Sequence, residues 1–128
     1  MAVFLLDTTV IVDTLNRKKA RYEFLEGLLT QRNLLACCCI NVTEVFAGVR
    51  PNERATTEAL LRSLRYYEVT WEIAQLAGNL KRQWRGKGIT FSLPDVTIAA
   101  VAMTHRLTLL TDNKKHFPMT ELLLLPLP

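Results

Sequence analysis

Four acidic residues stand where this chain could gather charge: Asp7, Glu44, Asp95 and Asp112. Asp7 directly follows the apolar run Val3-Phe4-Leu5-Leu6, and Asp112 follows Leu109-Leu110-Thr111. Glu44 lies four residues after a second apolar run, Leu34 to Ile40, and Asp95 sits three residues after Ser92 at the head of a helical pattern. Crowded carboxylates repel one another unless a cation neutralises them. Oxygen donors without Cys or His favour hard Mg²⁺ or Mn²⁺. Such an ion can polarise a phosphodiester and lower the pKa of an attacking water. Metal-assisted phosphodiester hydrolysis is the chemistry that these residue types suit.

Each acid also has a purely local explanation. The pairs Asn41/Glu44 and Ser92/Asp95 have the spacing of a capping box, in which the acid bonds back to the cap residue's N–H. Asp7 can begin a turn with Thr8 or Thr9 as helix cap, and Asp112 can do the same with Asn113. Capping and metal binding are compatible, because a helix N-terminus orients an acid without consuming both its oxygens.

The elements that must position these acids alternate between continuous apolar runs and helical patterns, which favours a parallel α/β sheet. Strands are expected at Val3–Leu6, Leu34–Ile40, around Glu68–Thr70, at Leu107–Leu110 and at Leu122–Leu125. A helix begins near Val10-Ile11-Val12, and another spans Ala20 to Leu29, with Tyr22, Leu25 and Leu29 at helical spacing. Asn41 reads as the N-cap of a helix over Val42–Val49. Asn52 can cap the next helix, marked by Ala59, Leu60, Leu61 and Leu64. A long amphipathic helix carries Ile73, Leu76, Ala77, Leu80 and Trp84, and ends in the basic loop Arg85-Gly86-Lys87-Gly88. The last helix runs from Ser92 to about His105. The expected fold class is α/β, a three-layer α/β/α sandwich with a short parallel sheet of about five strands, and residues 1–128 read as a single domain. In such sheets ligands bind beyond the carboxyl ends of the strands, where Asp7 and Asp112 fall.

Composition narrows the options. No uncharged apolar run approaches the length of a membrane span, and the N-terminus lacks a basic leader and a small-residue cleavage site. The run Cys37-Cys38-Cys39 has poor disulfide geometry and lacks metal-site spacing, so it reads as reduced, buried strand residues in a cytoplasmic protein. Net charge is +4, from 16 Lys and Arg against 12 Asp and Glu. With the four candidate acids set aside, 16 basic residues face 8 acidic ones, a remainder of +8. An acidic pocket on a basic body suits a nucleic-acid backbone, with cations such as Lys18, Arg21, Arg85, Lys87, Lys114 and Lys115 in or beside loops.

The sequence resembles the PIN-domain nucleases, and within them the VapC-type toxins of bacterial toxin–antitoxin pairs. Four segments carry the likeness along nearly the whole chain. They are Phe4 to Asp13, then Ile40-Asn41-Val42-Thr43-Glu44-Val45 with Gly48, then Leu93-Pro94-Asp95-Val96-Thr97-Ile98-Ala99-Ala100, and finally Leu109-Leu110-Thr111-Asp112-Asn113 with Phe117. The resemblance implies a PIN fold and a Mg²⁺- or Mn²⁺-dependent endoribonuclease. By position, Asp7 and Asp95 become the principal metal ligands and Glu44 completes the acidic triad, with Thr9 and Thr111 as supporting residues. Asp13 matches a less essential acid. At the fourth acidic position this sequence places Asn113, with Asp112 one residue earlier, so either Asp112 or Asn113 fills that role. The resemblance further implies an RNA substrate, a cognate antitoxin protein, a homodimer and no membrane; partner contacts are expected on the helices between Ala20 and Leu64.

A different class of function, a non-catalytic PIN-like module that binds RNA or protein, is the alternative. Phosphatase-like α/β domains want a second Asp two residues after the first, where Thr9 stands here. Nucleotide-binding loops want glycines, and no Gly precedes Gly27.

Overall fold

A computed structural model describes residues 2–127. Five parallel strands, β1 (Val3–Leu6), β2 (Leu34–Cys38), β3 (Arg65–Tyr67), β4 (Thr108–Thr111) and β5 (Leu123–Pro126), lie in the order β3-β2-β1-β4-β5. Six helices connect them: α1 (Thr8–Leu15), α2 (Lys19–Thr30), α3 (Cys39–Ala47), α4 (Arg54–Ser63), α5 (Trp71–Arg85) and α6 (Leu93–His105). The expected α/β class and parallel five-stranded sheet are therefore present.

Side chains alternate between the two faces of each strand, and each face builds its own core. Phe4, Leu6, Leu35, Cys37 and Leu110 point to one side, where Val10, Ile11, Leu25, Leu28, Val45, Leu61 and Leu64 cover them. Leu5, Ala36, Cys38 and Leu109 point to the other, under α5 and the almost wholly apolar α6. Cys37 and Cys38 thus face opposite cores, as their adjacency in a strand requires, and all three cysteines are free. Burial pushes the Cys37 thiol up to about 11, so that site is inert.

Several boundaries differ from the sequence expectations: β4 and β5 each lie one residue later, and larger differences fall around α3, β3 and α4. β2 ends at Cys38, and Cys39 already begins α3, only partly buried. Asn41 is therefore the third residue of α3 and not its N-cap, a role taken by Cys38. β3 lies at Arg65–Tyr67, pairing Ala36 with Arg65 and Cys38 with Tyr67; Val69 packs against the core only after the strand has ended. As an edge strand, β3 needs no continuous apolar run, and Arg65 and Tyr66 are exposed, which hid it in the sequence. Asn52 falls within a 3₁₀ turn, Pro51–Glu53, and α4 follows without a side-chain cap.

On α2 the buried stripe is Leu25 and Leu28, whereas Tyr22 and Leu29 are 52% and 51% exposed. The helix rotates so that Arg21, four residues before Leu25, shares the inward stripe.

The strand order carries the functional consequence. The chain runs outward from β1 to β2 and β3, then returns to place β4 on the other side of β1. The reversal point lies between β1 and β4, where open α/β sheets leave a crevice for ligands. Asp7 and Asp112 follow immediately on these two strands.

Candidate active site

Asp7 extends the ladder beyond β1, its N–H donating to Leu110 O at 3.0 Å. It is the N-cap of α1, and its Oδ1 accepts from Thr8 N–H at 2.8 Å. Thr8 and Thr9 are thus helical residues behind the cap. The other oxygen, Oδ2, accepts from the buried Thr111 hydroxyl at 2.8 Å. The register that pairs Leu6 with Leu110 puts Thr111 beside Asp7. Thr111 Oγ1 in turn accepts from Asn113 N–H at 2.9 Å, which shapes the exit from β4.

Asp7 is only 6% exposed, and this burial raises its carboxyl pKa above the ordinary value. Hydrogen bonds from Thr111 and Thr8 pull it partly back, and the negative charges of Asp95 and Asp112 push it further up.

Glu44 reaches the same edge through Thr8. Its Oε1 accepts from the Thr8 hydroxyl at 2.7 Å, and Thr8 Oγ1 accepts from Asn41 Nδ2 at 3.0 Å. Asn41 is fully buried; it also donates to Leu6 O at 3.1 Å, and its Oδ1 accepts from Cys38 N–H at 2.8 Å. One amide thereby joins the ends of β1 and β2 and sets the Thr8–Glu44 contact. Glu44 is the sixth residue of α3, beyond its first turn, and does not cap it.

Asp95 stands in the first turn of α6, where its N–H donates to the Ser92 hydroxyl at 3.2 Å. Its Oδ2 lies 3.7 Å from His116 Nδ1. Asp112 Oδ1 accepts from the Thr9 hydroxyl at 3.2 Å, and its Oδ2 is 3.6 Å from Arg21 Nη2. Hydrogen bonds therefore link Asp7 to Thr111, Glu44 to Thr8, and Asp112 to Thr9. Asp95 joins the group through the electric field it exerts on Asp7. Asn113 contributes its backbone N–H to Thr111, and its side chain makes no hydrogen bond among the described residues.

Three contributors went unassigned in the sequence, Thr8 and Asn41 as a relay to Glu44 and His116 beside Asp95. A fourth, Arg21, expected among the loop cations for a nucleic-acid backbone, instead lies within α2, largely buried beside Asp112. Only Arg21 left a usable signal, a cation in register with Leu25 and Leu28 on an inward stripe.

The oxygen donors suit a hard cation, and a cation would relieve the burial and like-charge strain on Asp7. Among the described residues, no three His, Cys, Asp or Glu side chains are gathered closely enough to hold one ion between them. A donor set of this openness fits Mg²⁺, which keeps several of its waters when bound by one or two carboxylates.

The family profile described as PIN domain matches residues 4–120. This chain belongs to the PIN-domain family. This PIN-domain chain is 36% identical over 115 residues to ribonuclease VapC19 of Mycobacterium tuberculosis, covering 90% of this chain and 92% of the relative. Ribonuclease VapC10 of the same organism is 33% identical over 119 residues, covering 93% and 89%. Among solved structures, a chain in the crystal structure of VapBC2 from Rickettsia felis bound to a promoter DNA fragment superposes with a TM-score of 0.87. It has 23% identity and covers 98% of this chain and 99% of that one. A chain of DNA-bound VapBC from Salmonella typhimurium gives 0.86 at 19% identity, with full coverage of both. At these identities the structural likeness establishes the PIN fold.

Proposed function

We propose that this PIN-domain protein is a Mg²⁺- or Mn²⁺-dependent endoribonuclease acting as the toxin of a toxin–antitoxin pair, with residues 1–128 forming one domain. The observation that carries this reading is Asp7, buried at the β1/β4 crevice with both oxygens oriented and two further acids acting on it. The likeness to proteins named as ribonucleases supports it.

Asp7, Glu44 and Asp95 would hold the cation between them, one or two directly and the rest through its retained waters. When bound, the ion supplies polarisation of the phosphodiester and a lowered pKa for an attacking water. Thr111 and Thr8 N–H keep the Asp7 carboxylate from rotating, and Asn41 and Thr8 hold Glu44 on the same edge. Asp112 or Asn113 would orient the water. Because the Asp7 pKa is raised, its proton must leave before the cation is held, so the site loads more readily as pH rises. The basic excess outside the acidic edge would hold the RNA backbone.

A cognate antitoxin would mask the site and contact the helices between Ala20 and Leu64; the likeness to chains of VapBC complexes supports such a partner. Leu15, Tyr22 and Leu60 line a groove of about 490 Å³ there, between α1, α2 and α4. A homodimer and a cytoplasmic location complete the proposal; no helix among the described residues is long and apolar enough to cross a membrane.

Incubating the purified protein with a panel of RNAs, with Mg²⁺, Mn²⁺ or EDTA, tests the activity. Cleavage should require the cation and vanish in Asp95→Asn. RNA binding without cleavage under every condition would instead favour a non-catalytic module.

A further inference from the structure

Asp13, Arg21 and Asp112 form a linked set beside the crevice. Arg21 Nη2 lies 3.6 Å from Asp13 Oδ2 and 3.6 Å from Asp112 Oδ2. Lys18 Nζ approaches the remaining Asp13 oxygen, Oδ1, at 3.1 Å. Charge therefore alternates from the α1–α2 turn to the exit of β4, through Lys18, Asp13, Arg21 and Asp112. The Arg21 and Asp13 side chains are only 16% and 14% exposed. Arg21 Nη1 is buried without a hydrogen-bond partner among the described residues.

As a device for stability alone, this guanidinium is poorly arranged. Largely buried ion pairs lose on desolvation much of what they gain by attraction. A buried N–H without an acceptor adds a further cost. Both carboxylate contacts are longer than charge-assisted hydrogen bonds, so they act through charge more than through bonding. What the arrangement does achieve is to aim Asp112: Oδ1 is held by Thr9 and Oδ2 faces the Arg21 cation.

The other acids are treated differently. Among the described residues, no Lys or Arg pairs with Asp7, Glu44 or Asp95. Asp95 meets only the His116 imidazole at 3.7 Å, whereas Asp112 alone of the four faces a permanent guanidinium charge within the chain.

We propose that Arg21, anchored by Asp13, is a positioning residue that fixes Asp112 as the orienting acid of the site and leaves the divalent cation to Asp7, Glu44 and Asp95. This inference rests on the nuclease reading above. Arg21, carried on α2, also links the first helical hairpin to the exit of β4.

Titrating Mn²⁺ into metal-stripped protein, followed by water-proton relaxation, tests the division of labour without RNA. Arg21→Gln should tighten Mn²⁺ binding several-fold by releasing the Asp112 charge; unchanged or weaker binding overturns the proposal. Asp112→Asn should weaken Mn²⁺ far less than Asp7→Asn, and equal losses would make Asp112 a ligand. On a cleaved RNA, Arg21→Gln should lower kcat roughly 10- to 100-fold with KM close to that of the parent protein. A raised KM with kcat intact would make Arg21 a phosphate contact and overturn the positioning role. Arg21→Lys, which keeps the charge and loses the fork, should recover part of kcat; no recovery counts against it. Should Arg21→Gln fail to fold, Asp13→Asn carries the question. Its loss of kcat should vanish in an Asp112→Asn background, and additive losses overturn the linkage. If the parent protein cleaves no RNA, the nuclease reading fails, while the Mn²⁺ titrations still decide which acids take the ion.

Discussion

Thr111 donates its hydroxyl proton to Asp7 Oδ2 at 2.8 Å, joining two buried residues 104 positions apart in the chain. The same hydroxyl accepts from Asn113 N–H, so one oxygen both steadies the principal acid and fixes the loop that presents Asp112.

Thr111→Val removes that hydroxyl at nearly constant shape. The Asp7 carboxylate loses a bond that lowers its pKa, and Asn113 N–H loses its acceptor. Stability should fall by about 1–3 kcal/mol, the usual cost of a stranded polar group. The pH–rate profile for metal-dependent cleavage should move to higher pH. A profile that stays in place would mean that Thr111 does not tune Asp7.

Asp7→Asn should abolish cleavage without destabilising the apo fold at neutral pH. The native pKa of Asp7 is raised above its unfolded value, so the folded state holds the proton more tightly. Stability from this group is therefore undiminished below the ordinary carboxylate value, falls as pH climbs through the raised one, and stays reduced above it. Asn avoids that penalty, although it reverses the bond to Thr111. In EDTA, urea denaturation should show the variant faring better relative to the parent protein at about pH 7 than at about pH 4. The opposite ordering would contradict the raised pKa.

Mg²⁺ or Mn²⁺ should stabilise the parent protein against thermal unfolding, by roughly 2.7 kcal/mol at a hundredfold excess over Kd. Differential scanning fluorimetry should find the shift growing as pH rises through the Asp7 transition and missing from Asp7→Asn. A metal shift of equal size in that variant would place the ion elsewhere.

Asn41→Ala should unfold the protein more readily and also silence it. Truncation strands Leu6 O and Cys38 N–H, each at about 1–3 kcal/mol, and frees Thr8 from the partner that aims it at Glu44. Thr43→Ala, an exposed neighbour on the same helix, should stay within about 0.5 kcal/mol in the same denaturation series.

Much of this architecture was legible in the amino-acid order. Val3–Leu6 reads as a buried strand because every residue is apolar, and the placement of Asp7 at its end follows directly. Ser92 and Asp95 announce the start of α6 through a local rule, and Ser92 does accept the Asp95 N–H. The alternation that sends Cys37 and Cys38 to different cores is a property of any strand. Such features depend on neighbours a few residues apart, so local periodicity and capping chemistry suffice to find them.

Other features depend on register between distant segments. Asn41 has the spacing of a cap to Glu44, yet the end of β2 at Cys38 turns it into a bridge between two strands. The edge strand β3 carries no apolar signature because pairing on one side is all that defines it. Sequence alone left Asp112 and Asn113 as equal rivals; the tertiary structure sets Asp112 between Thr9 and Arg21, and turns the Asn113 backbone toward Thr111. The amino-acid order determined which carboxylates exist and which elements carry them, since both are local properties. Which charges meet, which are buried, and which are answered by a cation within the chain follow from packing α2 against α1 and β2 and from pairing β4 with β1, contacts that no short window of sequence contains.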